Sequence, residues 1–239
     1  MAIHNELFFA DLELLNANCS TTPTVKRCRK VFVDFGAYTG DTLETYGREF
    51  IQKHDNNEYS SSEVYAFEVD FKHITSILER LAGPLAYLRP FTHVFNAAVW
   101  NKDVVLKFHA SGHNDGKVTD AGQQQVLRYD IGPWFMRSIR PSLCDNLVVK
   151  VDIEGVEVEA LHSLADAGAL LFIDHLIIEW HDWINPTVAA AKPELVRLLE
   201  ENGLYYNYAT LDDKLDMHFK IGEQWPVNHC DSHYLRSKP

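Results

Sequence analysis

Long apolar runs are missing from this chain. The most apolar stretch, Ala169 to Trp180, carries Asp174, His175 and Glu179, so it is too short and too charged to span a bilayer. Positive charge is also in deficit: 22 Lys and Arg stand against 34 Asp and Glu, a net charge of −12. A surface that tracks phosphates needs the opposite balance, which disfavours a nucleic-acid partner. Cysteine is scarce. Cys19, Cys28, Cys144 and Cys230 form no C-x-x-C pair, and reduced structural thiols are expected. Met1 to Ala10 contains His4, Asn5 and Glu6 with no basic lead-in, unlike a secretion signal. The Asn18-Cys19-Ser20 sequon then reads as chance, and a soluble cytoplasmic protein is expected.

What is present is an ordinary globular fraction of apolar residues, 46% of 239, enough for one large α/β domain with a substantial core. No internal repeat is apparent. Ile3, Leu7, Phe8, Leu12 and Leu15 fall at helical spacing, so residues 1–30 are read as an N-terminal helix and loop, and 31–239 as the core. Strands are expected at 31–35, 63–68, 94–100, 104–109, 147–152 and 171–180. Helices are expected at about 41–52, 71–81, 156–164 and 192–202, with a short one between Pro133 and Pro141. Strands alternating with helices predict a mostly parallel sheet with helices on both faces and right-handed crossovers. Short segments at 204–209, 217–221 and 233–235 predict an antiparallel C-terminal edge. Residues 53–62 read as a polar surface loop, and the glycine-rich 111–125 as a substrate-side lid.

The stretch Val31 to Thr42 organises the rest: a buried strand, a glycine turn, then a helix start at Asp41-Thr42. Open α/β sheets build ligand sites at such carboxyl ends of strands. A dinucleotide fingerprint needs Gly-x-Gly-x-x-Gly; here Tyr38 takes the middle glycine position, and an acid, Asp34, precedes Gly36 by two. That suits a ligand with a cationic amino-acid end, such as S-adenosylmethionine, better than one with two phosphates. Three acids, Asp34, Glu68 and Asp152, each end a predicted strand, so they converge on one crevice. Asp34 is expected near the methionyl amino group, Glu68 at the ribose hydroxyls, and Asn96-Ala97-Ala98 beside the adenine. The expected cofactor contacts are Asp34, Gly36, Ala37, Tyr38, Thr39, Gly40, Thr42, Glu68, Val69, Asn96, Ala97, Ala98 and Asp152.

Val33-Asp34-Phe-Gly36-Ala-Tyr-Thr-Gly40-Asp41-Thr42, Val64-Tyr-Ala-Phe67-Glu68, Asn96-Ala-Ala98-Val99, Lys150-Val-Asp152-Ile-Glu154-Gly155-Val-Glu157 and Ile177-Ile-Glu179-Trp-His181 resemble the FkbM family of methyltransferases. These motifs run from 31 to 181, and the Lys-x-Asp-x-Glu-Gly-x-Glu block is the specific one. Tyr38 stands where the family more often has Asn, and Val69 where it often has Pro. The resemblance implies a Rossmann-like class I methyltransferase fold and O-methylation with S-adenosylmethionine, often of a sugar or polyketide hydroxyl. It does not name the acceptor. A non-sugar hydroxyl or amine acceptor stays open, as does a cofactor-binding module without catalysis.

Transfer of a methyl from a sulfonium needs an in-line nucleophile, and an alcohol is a poor one until its proton is removed or a cation holds its oxygen. Asp152 and Glu154 are two residues apart, as are Glu179 and His181, which places each pair on one face if both strands stay extended. His181, Glu154 and Asp152 are the candidate catalytic residues. Asp152, Glu179 and His181 are a candidate set for Mg²⁺ or Mn²⁺. A metal-free base, His181 or Glu154, is the alternative. Lesser candidates are a zinc site at His229, Cys230 and His233, substrate contacts from His109 and His113, and sugar stacking by Trp134, Trp180, Trp183 or Trp225.

Overall fold

The computed structural model describes residues 28–47, 61–109, 117–118, 124–183, 185–204 and 206–208. Their strands are β1 (Arg29–Phe35), β2 (Ser61–Glu68), β3 (Thr92–Trp100), β4 (Val104–His109), β5 (Lys117–Val118), β6 (Gln124–Asp130), β7 (Asn146–Val151), β8 (His175–Ile178) and β9 (Tyr206–Tyr208). They form one sheet in the order β5-β4-β6-β3-β2-β1-β7-β8-β9. From β3 through β9 every pairing is parallel. The chain runs outward from β1 to β3 on one side and from β7 to β9 on the other. The direction of winding therefore reverses between β1 and β7, the switch point where open α/β sheets leave a crevice above their strand ends.

The period of two in β1 decides how its helices pack. Val31, Val33 and Phe35 belong to one buried core with Ile131, Trp134, Leu161 and Leu195. These come from α3 (Ile131–Trp134), α4 (Glu157–Asp166) and α5 (Pro186–Glu201). Phe32 belongs to a second core with Leu43, Tyr46, Ile77 and Leu81, from α1 (Asp41–Tyr46) and α2 (Phe71–Ala82). Phe32 stacks on Tyr46 at 4.3 Å. Alternate side chains of a buried strand thus feed helices on both faces, the α/β architecture expected from the sequence.

Several expected elements shift. The strand expected at 171–180 shrinks to β8, because Gly168, in the left-handed region at φ 71°, starts a short 3-10 turn over Ala169–Phe172. Helix α5 begins six residues before the expected start: Asn185 caps it through Thr187 N–H, and Pro186 occupies its first turn, where the missing N–H costs nothing. Within the expected lid, Lys117–Val118 is strand β5 and Gln124-Gln125 opens β6. Its other residues lie outside the described ones. Antiparallel pairing occurs at the far edge, where β4 meets β5 and β6. At the C-terminal side Tyr206–Tyr208 pairs parallel with β8, contrary to the antiparallel edge expected from its turn-rich surroundings. Residues 217–221 and 233–235, the N-terminal helix at 3–15, the 53–60 loop and the second half of the expected 41–52 helix lie outside the described residues. No helix among the described residues is long and apolar enough to cross a membrane.

The amino ends of β1 and β7 are joined covalently. Cys28 and Cys144 form a disulfide with Cα atoms 5.2 Å apart, correcting the expectation of reduced thiols. C-x-x-C spacing is uninformative here, since the partners are brought together by strand pairing 116 residues apart. Beside the bridge Arg29 donates to Asp145 Oδ2 at 2.6 Å, to Glu63 Oε2 at 3.0 Å and to the carbonyl of Ile139 at 3.1 Å. Disulfides persist in oxidising surroundings and are rare in reducing ones, so the bridge lends nothing to the expected cytoplasmic location.

Closing so long a loop is expected to stabilise the fold by about 2–4 kcal/mol. Reductant should lower the urea midpoint accordingly, and Cys28→Ser should reproduce that loss while abolishing the response to reductant. A midpoint indifferent to reductant would refute the bridge.

Candidate active site

β1 ends on Phe35, and the chain turns at once. Gly36 has φ 85°, and a Cβ there would lie 1.7 Å from the backbone oxygen of Asp152. Only glycine fits, for conformation and for space. The N–H groups of Gly36 and Ala37 both donate to the Phe67 carbonyl, at 3.0 and 2.9 Å, so the turn is stitched to the end of β2. Tyr38 follows in the left-handed region at φ 48°, uncommon for a bulky side chain. Its N–H donates to Glu68 Oε2 at 2.8 Å, and its ring meets His73 edge-on at 4.4 Å. Gly40, at φ 84°, starts α1.

Glu68 receives a second backbone donor, the Asp70 N–H on Oε1 at 2.8 Å. Burial raises its pKa, and the backbone donors of Asp70, Tyr38 and Val69, with His73, oppose that rise. A carboxylate has about four acceptor sites, so three backbone donors do not exhaust it. Asn96, expected beside the adenine, supports the same turn. Its side-chain amide donates to the carbonyls of Glu68 and Val69, at 3.1 and 2.9 Å, holding the turn that follows β2. Ala97 is buried in the core below, with Ala98 next to it on β3. Thr42 is buried in α1, and the carbonyl of Thr39 accepts from Arg80 at 3.4 Å.

Asp34 and Lys150 are register partners across β1 and β7, so both side chains leave the sheet on one face. Asp34 is fully buried; Lys150 Nζ lies 3.3 Å from its Oδ1, 2.9 Å from the Gly36 carbonyl and 2.9 Å from Asp152 Oδ2. Asp34 Oδ2 is buried with no hydrogen-bond partner among the described residues. Burial raises the Asp34 pKa against the pull of Lys150. Burial also opposes charge on Lys150, but Asp152 and Asp34 together outweigh it and raise its pKa. The ammonium is the charge best supported, since three oxygens face it.

Past β7 the two-residue logic fails for Glu154. β7 stops at Val151, and Glu154 and Gly155 take left-handed φ values of 56° and 97°. The turn, rather than a pleat, brings Glu154 back toward His181. Asp152 and Lys150 do obey the pleat. His181 lies beyond the end of β8 and is 1% exposed. Its Nε2 lies 3.5 Å from Glu154 Oε2, 3.7 Å from Asp152 Oδ1 and 3.9 Å from Glu179 Oε1. The other ring nitrogen, Nδ1, is 2.7 Å from Glu157 Oε1, which also accepts the Gly155 N–H at 3.0 Å. Burial works against a charged ring, but the Glu157 hydrogen bond and the surrounding carboxylates raise the His181 pKa to about 9. Burial first, then Asp152, pushes Glu179 up to about 7.

The metal-capable group is therefore Asp152, Glu154 and His181, whose ligand atoms lie within 4.8 Å of one another; Glu179 is a neighbour at 3.9 Å from the ring. Glu157, at the first position of α4, was given no role in the sequence reading. The clue was there: a functional histidine needs an orienting partner, and the Gly155 turn lets Glu157 reach back. Among the lesser candidates, Trp134 and Trp180 are core residues, while Trp183 is 67% exposed with its ring 6.5 Å from that of His181. The side chain of His109, together with His113, Trp225, His229, Cys230 and His233, lies outside the described residues.

No protein-family model matches the chain, and no curated protein matches it. Among solved structures, the crystal structure of methyltransferase FkbM from Methylobacillus flagellatus KT is similar to 73% of this chain and 39% of its own length, at 16% identity and a TM-score of 0.47. The chain thus spans well under half of that protein, and a likeness of this degree assigns no activity.

Removing Lys150 leaves Asp34 buried beside no cation, so Lys150→Met should cost about 3–5 kcal/mol of stability. Adding Asp34→Asn should return part of that loss, because the stranded charge goes with it. Denaturant unfolding of the two single variants and the double variant measures the coupling; strict additivity would contradict the pairing.

Proposed function

We propose that the chain is an S-adenosylmethionine-dependent O-methyltransferase acting on a hydroxyl of a sugar, a glycan or a glycosylated small molecule. One observation carries the reading: Lys150 touches both the Gly36 turn and Asp152, so a nucleoside-type cradle and a carboxylate–histidine cluster share a wall at the switch point of the sheet. The chain's motifs resemble the same chemistry.

The residues fit the cofactor in three ways. Gly36 admits close approach to backbone where a Cβ has no room. Asp34 Oδ2 is a buried acceptor with no partner, suited to an ammonium. Glu68, held by the Tyr38 and Asp70 N–H groups, has acceptor capacity left for vicinal hydroxyls. The cofactor supplies an electrophilic methyl group on a sulfonium. The chain's work is to hold the acceptor oxygen in line and to take charge of its proton; positioning of this kind can supply several kcal/mol, up to about 7–11 in well-oriented cases. The carboxylates of Asp152, Glu154 and Glu179 face the space before His181 and suit an acceptor with hydroxyls to donate. Exposed Trp183 offers an apolar face of the kind that stacks on a sugar ring.

Calorimetry with S-adenosylmethionine should show saturable binding, weakened by about 1–3 kcal/mol in Glu68→Ala, where ligand and backbone donors lose their acceptor. Absence of heat at high micromolar cofactor would sink the reading. A mass screen for acceptors that gain one methyl group separates sugar hydroxyls from amines and other alcohols.

A further inference from the structure

Three carboxylates stand off from His181 Nε2 at 3.5, 3.7 and 3.9 Å, beyond hydrogen-bond length, and among the described residues Nε2 has no hydrogen-bond partner although the side chain is buried. Glu179 Oε1 is likewise buried without a hydrogen-bond partner. Four carboxylates (Asp152, Glu154, Glu157, Glu179) surround this ring, and the nearby Lys150 is also engaged with Asp34. Two ligands of one ion at metal–ligand distances near 2.1 Å lie about 3 Å apart when adjacent and about 4.2 Å apart when opposite. All three separations from Nε2 fall in that interval.

We propose that His181 Nε2, Asp152 and Glu154 bind a divalent cation, with Glu179 as a further oxygen ligand and Glu157 as the outer carboxylate that fixes the ring. The ligand atoms of Asp152, Glu154 and His181 lie within 4.8 Å of one another, so a small side-chain adjustment brings these three onto one ion, and the partly exposed Glu154 has room for it. Glu157 Oε1 on Nδ1 at 2.7 Å turns the Nε2 lone pair toward the carboxylates, as a histidine ligand requires. One imidazole among several oxygens suits Mn²⁺ or Mg²⁺ more than a thiolate-seeking ion, and the nitrogen tilts the choice to Mn²⁺. Resting on the methyl-transfer reading for its purpose, the ion would polarise the acceptor hydroxyl, whose proton is lost as the methyl–oxygen bond forms and the methyl–sulfur bond breaks.

The full chain, stripped with chelator, is titrated with Mn²⁺ while the electron paramagnetic resonance signal of free ion is followed. Wild type should take up a single ion with micromolar affinity. Glu157→Gln, which touches no ion, should weaken uptake about 10–100-fold, and His181→Ala should abolish it. Glu154→Gln, at a partly exposed position, should also weaken it. Absence of a saturable site below millimolar Mn²⁺, or equal uptake by all four proteins, overturns the proposal. Calorimetry with S-adenosylmethionine on the same samples separates the two readings. Cofactor binding without a Mn²⁺ site removes the ion alone, whereas a Mn²⁺ site without cofactor binding supports the ion and removes the methyl donor.

Discussion

A single buried ammonium joins the two halves of the site. Lys150 is held by Asp34, by the Gly36 carbonyl and by Asp152. An isolated buried charge costs several kcal/mol, so the arrangement persists only while all three oxygens stay in place. Asp34 is defined by its strand register, Gly36 by its turn and Asp152 by the end of β7. The ammonium is therefore a gauge of whether β1 and β7 are correctly paired, and its neighbours can be right only together.

The elements that position the crevice were legible in the sequence because they obey simple periods. β1, β2, β3 and β7 are apolar runs of strand length, and α2 and α4 follow them with helical spacing. Of the three strand-end acids, Asp34 and Asp152 share Lys150, and Glu68 accepts from the turn that follows β1. What was not legible depends on turns and on distant pairing. Glu154 reaches His181 through two left-handed residues, which a period-two argument cannot foresee. Glu157 stands in the first turn of α4, where the helix dipole alone favours an acid, so its position does not single it out. That the Asn96 amide secures the turn after β2 also depends on strand pairing that the sequence does not display. Cys28 and Cys144 are neighbours only once β1 and β7 are side by side.

The two ends of the sheet carry different burdens. At the amino ends, the disulfide and the Arg29–Asp145–Glu63 network lock β1 to its neighbours with satisfied charges. At the carboxyl ends, Tyr38 and Glu154 hold left-handed backbone, as Arg140 does beside the amino-end network, and among the described residues the buried Asp34 Oδ2 and Glu179 Oε1 have no hydrogen-bond partner.

The near-contact between Gly36 and the Asp152 carbonyl sets a limit on how such a site can diversify. With no room for even a methyl group between them, the turn after β1 and the loop after β7 share a backbone boundary. Remodelling one of them necessarily displaces the other, so the two can change only together, while exposed positions farther out, such as Trp183, are free to vary alone.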